Sequence, residues 1–122
     1  MDSTRQLKYA RLIQKEMSDI FQREGYNYFG KAFVTVTGVR VSPDLGIAKI
    51  YVSIFGVKDS KAVLDQIDHH NKEIRHQLGN RIRHQARIIP ELAFFLDEVE
   101  ENALRMDNLI KNLNIPPADK EG

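Results

Sequence analysis

At 122 residues the chain has room for one domain, and folding at this length buries roughly two-thirds of its surface. An apolar share of 42% with 29% charged residues and no cysteine excludes a disordered chain, a collagen, a disulfide scaffold and any thiol or thiolate-zinc chemistry. The net charge of +1 is a cancellation: the first ninety residues hold fifteen Lys/Arg against nine Asp/Glu, the last thirty-two hold three against eight.

Such a split predicts one surface meant for an anion and another kept away from it. The longest apolar runs, such as Ala93-Phe94-Phe95-Leu96, are far shorter than the ~20 residues that cross a bilayer, so no membrane contact is expected. No apolar stretch follows Met1-Asp2-Ser3-Thr4, so no secretory signal is expected and a reduced, cytoplasmic setting is the default.

From Thr4 to about Glu24, Leu7, Ala10, Ile13, Met17, Ile20 and Phe21 recur at spacings of three and four, the period of a helix with one buried stripe. Ser3 or Thr4 suits the N-cap and Gly25 the C-cap. Opposite the stripe stand Lys8, Arg11 and Lys15, which taken alone read as a solvated face. Tyr26, Tyr28 and Phe29 fall in the loop that follows and are expected to close the core from outside. Exposed rings there, or Tyr51 further on, are the alternative, as stacking surfaces for unpaired bases.

Between Phe33 and Phe55 the period changes to two, with a break in phase at Thr37-Gly38 that predicts a bulge. Ser42-Pro43-Asp44-Leu45-Gly46 is a turn, and Ala48, Ile50, Val52 and Ile54 face one way while Lys49, Tyr51 and Ser53 face the other. The pair predicts an antiparallel hairpin. Asp59 or Ser60 then caps a helical stretch to about Ala86, with Val63, Ile67, Ile74, Leu78 and Ile82 as its buried stripe. The stripe fails at His70 and Asn71, where an apolar residue is due, so a break between two helices belongs there. Pro90 ends the helical region, Leu92 to Leu96 predicts a third strand, and Val99, Ala103, Met106, Ile110 and Leu113 mark a closing helix capped by Asp97. These elements predict an α+β, two-layer domain over residues 1–114, three strands with helices packed on one face, and a short polar tail over 115–122.

The segment Ile74 to Pro90 holds Arg75, Arg81, Arg83 and Arg87 with His76 and His84, and no acid. At 100° per residue Lys72, Arg75, His76, Gly79, Asn80, Arg83 and Arg87 share one helix face. Unopposed guanidinium groups repel one another unless a polyanion neutralises them, and Arg is the residue of choice for a bidentate grip on phosphate. Gly79 in that face would let a sugar–phosphate backbone approach closely. An exposed helix that merely solvates its arginines is the competing reading. His69, His70, His76 and His84 lack metal-ligand spacing and a carboxylate partner, so no metal and no cofactor are expected, and His70 and His76 suit hydrogen bonds to phosphate or backbone. Asp97, Glu98, Glu100 and Glu101 are explained by a helix start, and no nucleophile, base or phosphate-loop motif supports an enzyme.

The run Val39-Arg40-Val41-Ser42-Pro43-Asp44-Leu45-Gly46-Ile47-Ala48-Lys49-Ile50-Tyr51-Val52-Ser53 resembles the strand–turn–strand signature of the ribosome-binding factor A family. Ile74-Arg75, Leu78-Gly79, Arg81-Ile82-Arg83, Pro90 to Asp97 and Arg105-Met106-Asp107-Asn108-Leu109-Ile110 extend the likeness in order from about Lys8 to Leu113. The resemblance implies a type II KH-like fold with a kinked helix pair, and a non-enzymatic factor that binds the immature small ribosomal subunit and assists late maturation of its RNA. The family commonly carries Ala-x-Gly at the kink. Here His70-Asn71-Lys72 stands there, and Arg87-Ile88-Ile89 makes the approach to Pro90 about two residues longer. With the basic face, the resemblance assigns RNA contact to Lys8, Arg11, Lys15, Arg40, Lys49, His70, Lys72, Arg75, His76, Gly79, Arg81, Arg83 and Arg87. The expected partners are the small subunit and its RNA, with other assembly factors as further candidates for a monomeric protein. The alternative is a protein–protein adaptor that docks another factor through a sheet edge or the acidic closing helix.

Overall fold

The computed structural model of the protein describes residues 2–97. They form α1 (Thr4–Phe29), β1 (Phe33–Val41), β2 (Ile47–Phe55), α2 (Ser60–His69), α3 (Asn71–Ile82) and β3 (Glu91–Leu96). The expected closing helix and polar tail lie outside the described residues. The strands lie in the order β1-β2-β3, with β1 antiparallel and β3 parallel to β2. A parallel partner requires a crossover, and α2 with α3 supplies it.

Ser3 starts α1 through a reciprocal capping box: the Gln6 N–H donates to Ser3 Oγ at 3.2 Å and the Ser3 N–H to Gln6 Oε1 at 2.8 Å. Gln6 Nε2 also donates to the Val41 carbonyl at 2.8 Å, which ties the start of α1 to the end of β1. Here the structure departs from the apolar period, since Gln6 is buried and Leu7 is 48% exposed. A buried amide is tolerated because its polar atoms are all bonded.

The helix also runs past the expected cap at Gly25, and Gly30, at φ 64°, closes it with its N–H on the Tyr26 carbonyl at 3.1 Å. Gly25 has a different task. A Cβ there would overlap Cζ of Phe29, whose ring folds back one turn and meets Phe21 edge-on at 5.3 Å between centroids. Tyr28 and Phe29 are therefore helical core residues, while Tyr26 stays exposed.

The hairpin follows its pattern. The β1–β2 register shifts between Val36 and Gly38, and the Thr37 hydroxyl donates to the Tyr51 carbonyl at 3.2 Å across the bulge. In the turn, Asp44 Oδ1 accepts from the Ser42 hydroxyl at 2.7 Å and from the Gly46 N–H at 2.9 Å. Those bonds, the hydroxyl foremost, hold the Asp44 carboxyl below its usual range. Leu45 takes φ 62° in this turn and plugs the core with its side chain.

Asp59 caps α2 by accepting from the Ala62 N–H at 3.1 Å. The expected break falls at His70 (φ −97°, ψ 17°), between α2 and α3. Asn71 fixes it: Nδ2 donates to Asp68 Oδ1 at 3.1 Å and to the Leu92 carbonyl of β3 at 2.9 Å. Val63 and Ile67 before the break, and Ile74, Leu78 and Ile82 after it, are all buried with Ala48, Ile50 and Val52 of β2. The second helix is shorter than expected, ending at Ile82, so Arg87 lies in the connection to β3. The three described helices cover one face of the sheet. The other face shows Phe33 (71% exposed), Ile47, Phe55 and Phe95.

Gly25→Ala is expected to destabilise the domain by about 1–2 kcal/mol, because overpacking against Phe29 outweighs the ~1 kcal/mol that alanine adds to helix propensity. Urea denaturation checks this, and Phe29→Leu in the same chain should recover most of the loss.

Candidate nucleic-acid interface

The basic residues divide into those held by the fold and those left over. Arg81, in the last turn of α3, reaches across to α1, where its Nη1 lies 2.6 Å from Asp19 Oδ2 and 3.2 Å from Glu16 Oε1. This side chain is largely enclosed between the helices. The Arg81 guanidinium, with Arg23 beside it, holds the Asp19 carboxyl below its ordinary value of 3.8. The carboxylates in turn push Arg81 up.

Arg75 is also committed. Its Nε donates to the Pro90 carbonyl at 3.0 Å and its Nη2 to the Ile89 carbonyl at 2.7 Å. This clasp folds the 87–90 connection back over α3, and Ile89 lies 3.6 Å from where a Gly79 Cβ would be. The space above Gly79 is therefore filled by Ile89, not open to a phosphate backbone as the helix face alone suggests. Ile89, in the Arg87-Ile88-Ile89 stretch before Pro90, forms this cover.

His70 sits half-buried at the break. Its ring meets Tyr28 at 5.3 Å between centroids, and its Nδ1 is 3.7 Å from Glu73 Oε1. Gln77 Nε2 donates to the Tyr28 hydroxyl at 2.6 Å, and burial foremost, then the Glu73 charge, raise the Tyr28 pKa. His70 thus packs within a polar cluster that supports the break.

The remaining cations face solvent. Lys72, Arg83 and Arg87 are exposed on and after α3, as are Lys8, Arg11 and Lys15 on α1, and among the described residues none has an ion-pair partner. His76 is exposed beside them. The two groups adjoin: Arg5, Lys8, Tyr9 and Leu12 of α1 line a groove of about 290 Å³ with Gln85, two residues past Arg83. Arg40 and Lys49 lie elsewhere, on the open side of the hairpin. Among the described residues no group of His, Asp and Glu can hold a metal ion, and no described helix is long and apolar enough to cross a membrane.

Sequence periodicity missed Glu16 and Asp19 as partners of Arg81, since their separations of 65 and 62 residues leave no local trace. The doubled spacing of acids on α1, at 16 and 19, was the one available signal.

A three-stranded mixed sheet, a helix pair broken beside the third strand, and unpaired cations on the helical side define a KH-like domain of the α+β class. The family model of ribosome-binding factor A matches residues 5–110. Ribosome-binding factor A of Cytophaga hutchinsonii is 49% identical over 121 residues, 99% of this chain and 91% of that protein. The chain belongs to the ribosome-binding factor A family. Its fold matches the crystal structure of ribosome-binding factor A from Thermus thermophilus, with TM-score 0.63, 19% identity and coverage of 75% of this chain and 94% of that one. It also matches Thermus thermophilus ribosome-binding factor A coordinates fitted into a cryo-electron-microscopy map of a 30S complex, with TM-score 0.56, 21% identity and coverage of 70% and 88%.

The Asp19 carboxyl should titrate below 3.8 in the native chain and return towards 3.8 in Arg81→Met, as read by carboxyl NMR. Because its folded pKa is depressed, the stability it contributes is present above the unfolded pKa and is lost as pH falls through the folded one. Acid denaturation of Arg81→Met should therefore depend less steeply on pH below about 4.

Proposed function

We propose that this protein binds the small ribosomal subunit and assists late maturation of its RNA without catalysing a reaction, in the cytoplasm. The observation that carries this reading is the set of unpaired cations Lys8, Arg11, Lys15, Lys72, Arg83 and Arg87 on adjoining helical surfaces, in a chain of this family. Family relatives bear the name ribosome-binding factor, and a structural neighbour comes from a 30S complex.

The mechanism is electrostatic positioning. Lysine and arginine side chains replace counterions along the RNA backbone, which supplies affinity and sets orientation. Arg75 and Arg81 act one step back: the first fixes the connection that carries Arg87, the second locks α3 to α1 so that the two basic groups keep one relative position. His76 stands beside them as a hydrogen-bond donor to phosphate, and His70 and Gly79 contribute through the shape of the break and the helix. A rigid domain of this kind stabilises whichever RNA arrangement fits its charges, and so can hold one conformation of the subunit until maturation proceeds.

Co-sedimentation with purified precursor and mature small subunits tests the reading, and binding to neither would sink it. Lys72→Glu with Arg83→Glu is expected to weaken binding at least about tenfold and to make the slope of log affinity against log salt shallower by roughly two. An adaptor that docks a protein through an apolar surface would show little response to salt.

A further inference from the structure

The sheet face turned away from the helices carries a feature that the helical site does not use. Arg40 and Lys49 are direct partners in the β1–β2 register, and both side chains are exposed on that face. Like charges at directly opposed positions lie about 5 Å apart at Cβ and destabilise a sheet. Asp2 is the acid that reaches Arg40, its carboxylate at 3.4 Å, while Lys49 has no ion-pair partner among the described residues.

The two cations border a cavity of about 390 Å³ that Asp2, Gln6 and Ser42 line together with the apolar and aromatic side chains of Val41, Pro43, Ile47 and Tyr51. That volume falls at the lower end of the about 300–1,000 Å³ that small-molecule sites occupy. Tyr51 is braced from one side by Phe95, its register partner on β3, with ring centroids 5.7 Å apart and planes 30° apart. A ring so held is a rigid stacking surface. Gln6 also lines the cavity, but its amide is already bonded to Ser3 and Val41, so it serves the wall and not recognition.

An anion bound here relieves the Arg40–Lys49 repulsion and displaces Asp2, and a flat apolar group attached to that anion reaches Tyr51. A nucleotide has both parts. We propose that this cavity binds one unpaired nucleotide of RNA, phosphate between Arg40 and Lys49 and base against Tyr51. The proposal rests on the RNA-binding reading above for its source of nucleotide, and it places a second contact apart from the cations on and after α3.

The test is an NMR titration of the ¹⁵N-labelled full chain with a single-stranded RNA hexamer, with AMP and with inorganic polyphosphate. The hexamer should shift the amides of Arg40, Ile47, Lys49 and Tyr51. Tyr51→Leu should weaken that response about tenfold and Tyr51→Phe hardly at all, since stacking and not the hydroxyl is at work. Asp2→Asn should strengthen it. A response to AMP equal to that of the hexamer supports the same chemistry with a free nucleotide as its source. Polyphosphate shifting Tyr51 as strongly as the hexamer, with Tyr51→Leu silent, reduces the cavity to an anion patch and overturns the proposal. Hexamer shifts confined to α1 and α3 also overturn it while leaving the subunit-binding reading intact. Failure of the chain to sediment with subunits, with the cavity still responding to the hexamer, has the opposite meaning.

Discussion

The break at His70-Asn71 is the constraint on which the rest of this domain depends. A continuous helix from Ser60 to Ile82 would be about 35 Å long, more than the roughly 30 Å of a nine-residue strand, and one straight axis cannot keep its whole apolar stripe on a twisted three-stranded sheet. Bending at His70 brings Val63 and Ile67, and then Ile74, Leu78 and Ile82, onto the same core. The hydrogen bond from Asn71 to the Leu92 carbonyl makes that bend part of the sheet, because it joins the start of α3 to β3. His70, Tyr28, Gln77 and Glu73 complete the support from the α1 side.

Once the bend is fixed, α3 lies against α1, and the charges sort themselves by what lies within reach. Arg81 meets Glu16 and Asp19, while Arg75 meets the carbonyls of a connection that must return from α3 to β3. The arginines that meet no acid or carbonyl among the described residues are left in water, where their mutual repulsion favours a polyanionic partner. Committed and unpaired cations are thus neighbours on and just after one short helix, distinguished among the described residues only by their partners. The Arg81 pair joins α3 to α1 and so fixes the relative position of the two helices.

Much of the fold was legible in the sequence because it is written in local periods. The change from a period of 3.6 to one of two at Phe33, the phase slip at Thr37-Gly38 and the failed stripe at His70 each mark a feature that the backbone adopts. The misreadings share one cause, the use of a residue type without its distant partner. Gly25 signals a helix end until the Phe29 ring is seen to need its space, and Leu7 reads as part of the buried stripe until Gln6 is seen to be buried with its amide on the Val41 carbonyl. The basic face was legible as a composition, an acid-free stretch, but not as a surface. Its true boundary depends on a connection that folds over Gly79 and on acids more than sixty residues away.

By itself, the sequence determined an α+β fold with a hairpin, a broken helix pair, a cation excess before residue 90 and a clear family resemblance, since each follows from neighbours within a few residues or from motifs in order. Only the tertiary structure decided which cations are unpaired among the described residues, that Gly79 is covered, and that Arg40 and Lys49 face each other beside a braced Tyr51. The physical reason is range. Hydrophobic periods and turn preferences act along the chain, whereas ion pairs, hydrogen bonds to distant carbonyls and strand register exist only between segments that folding brings together.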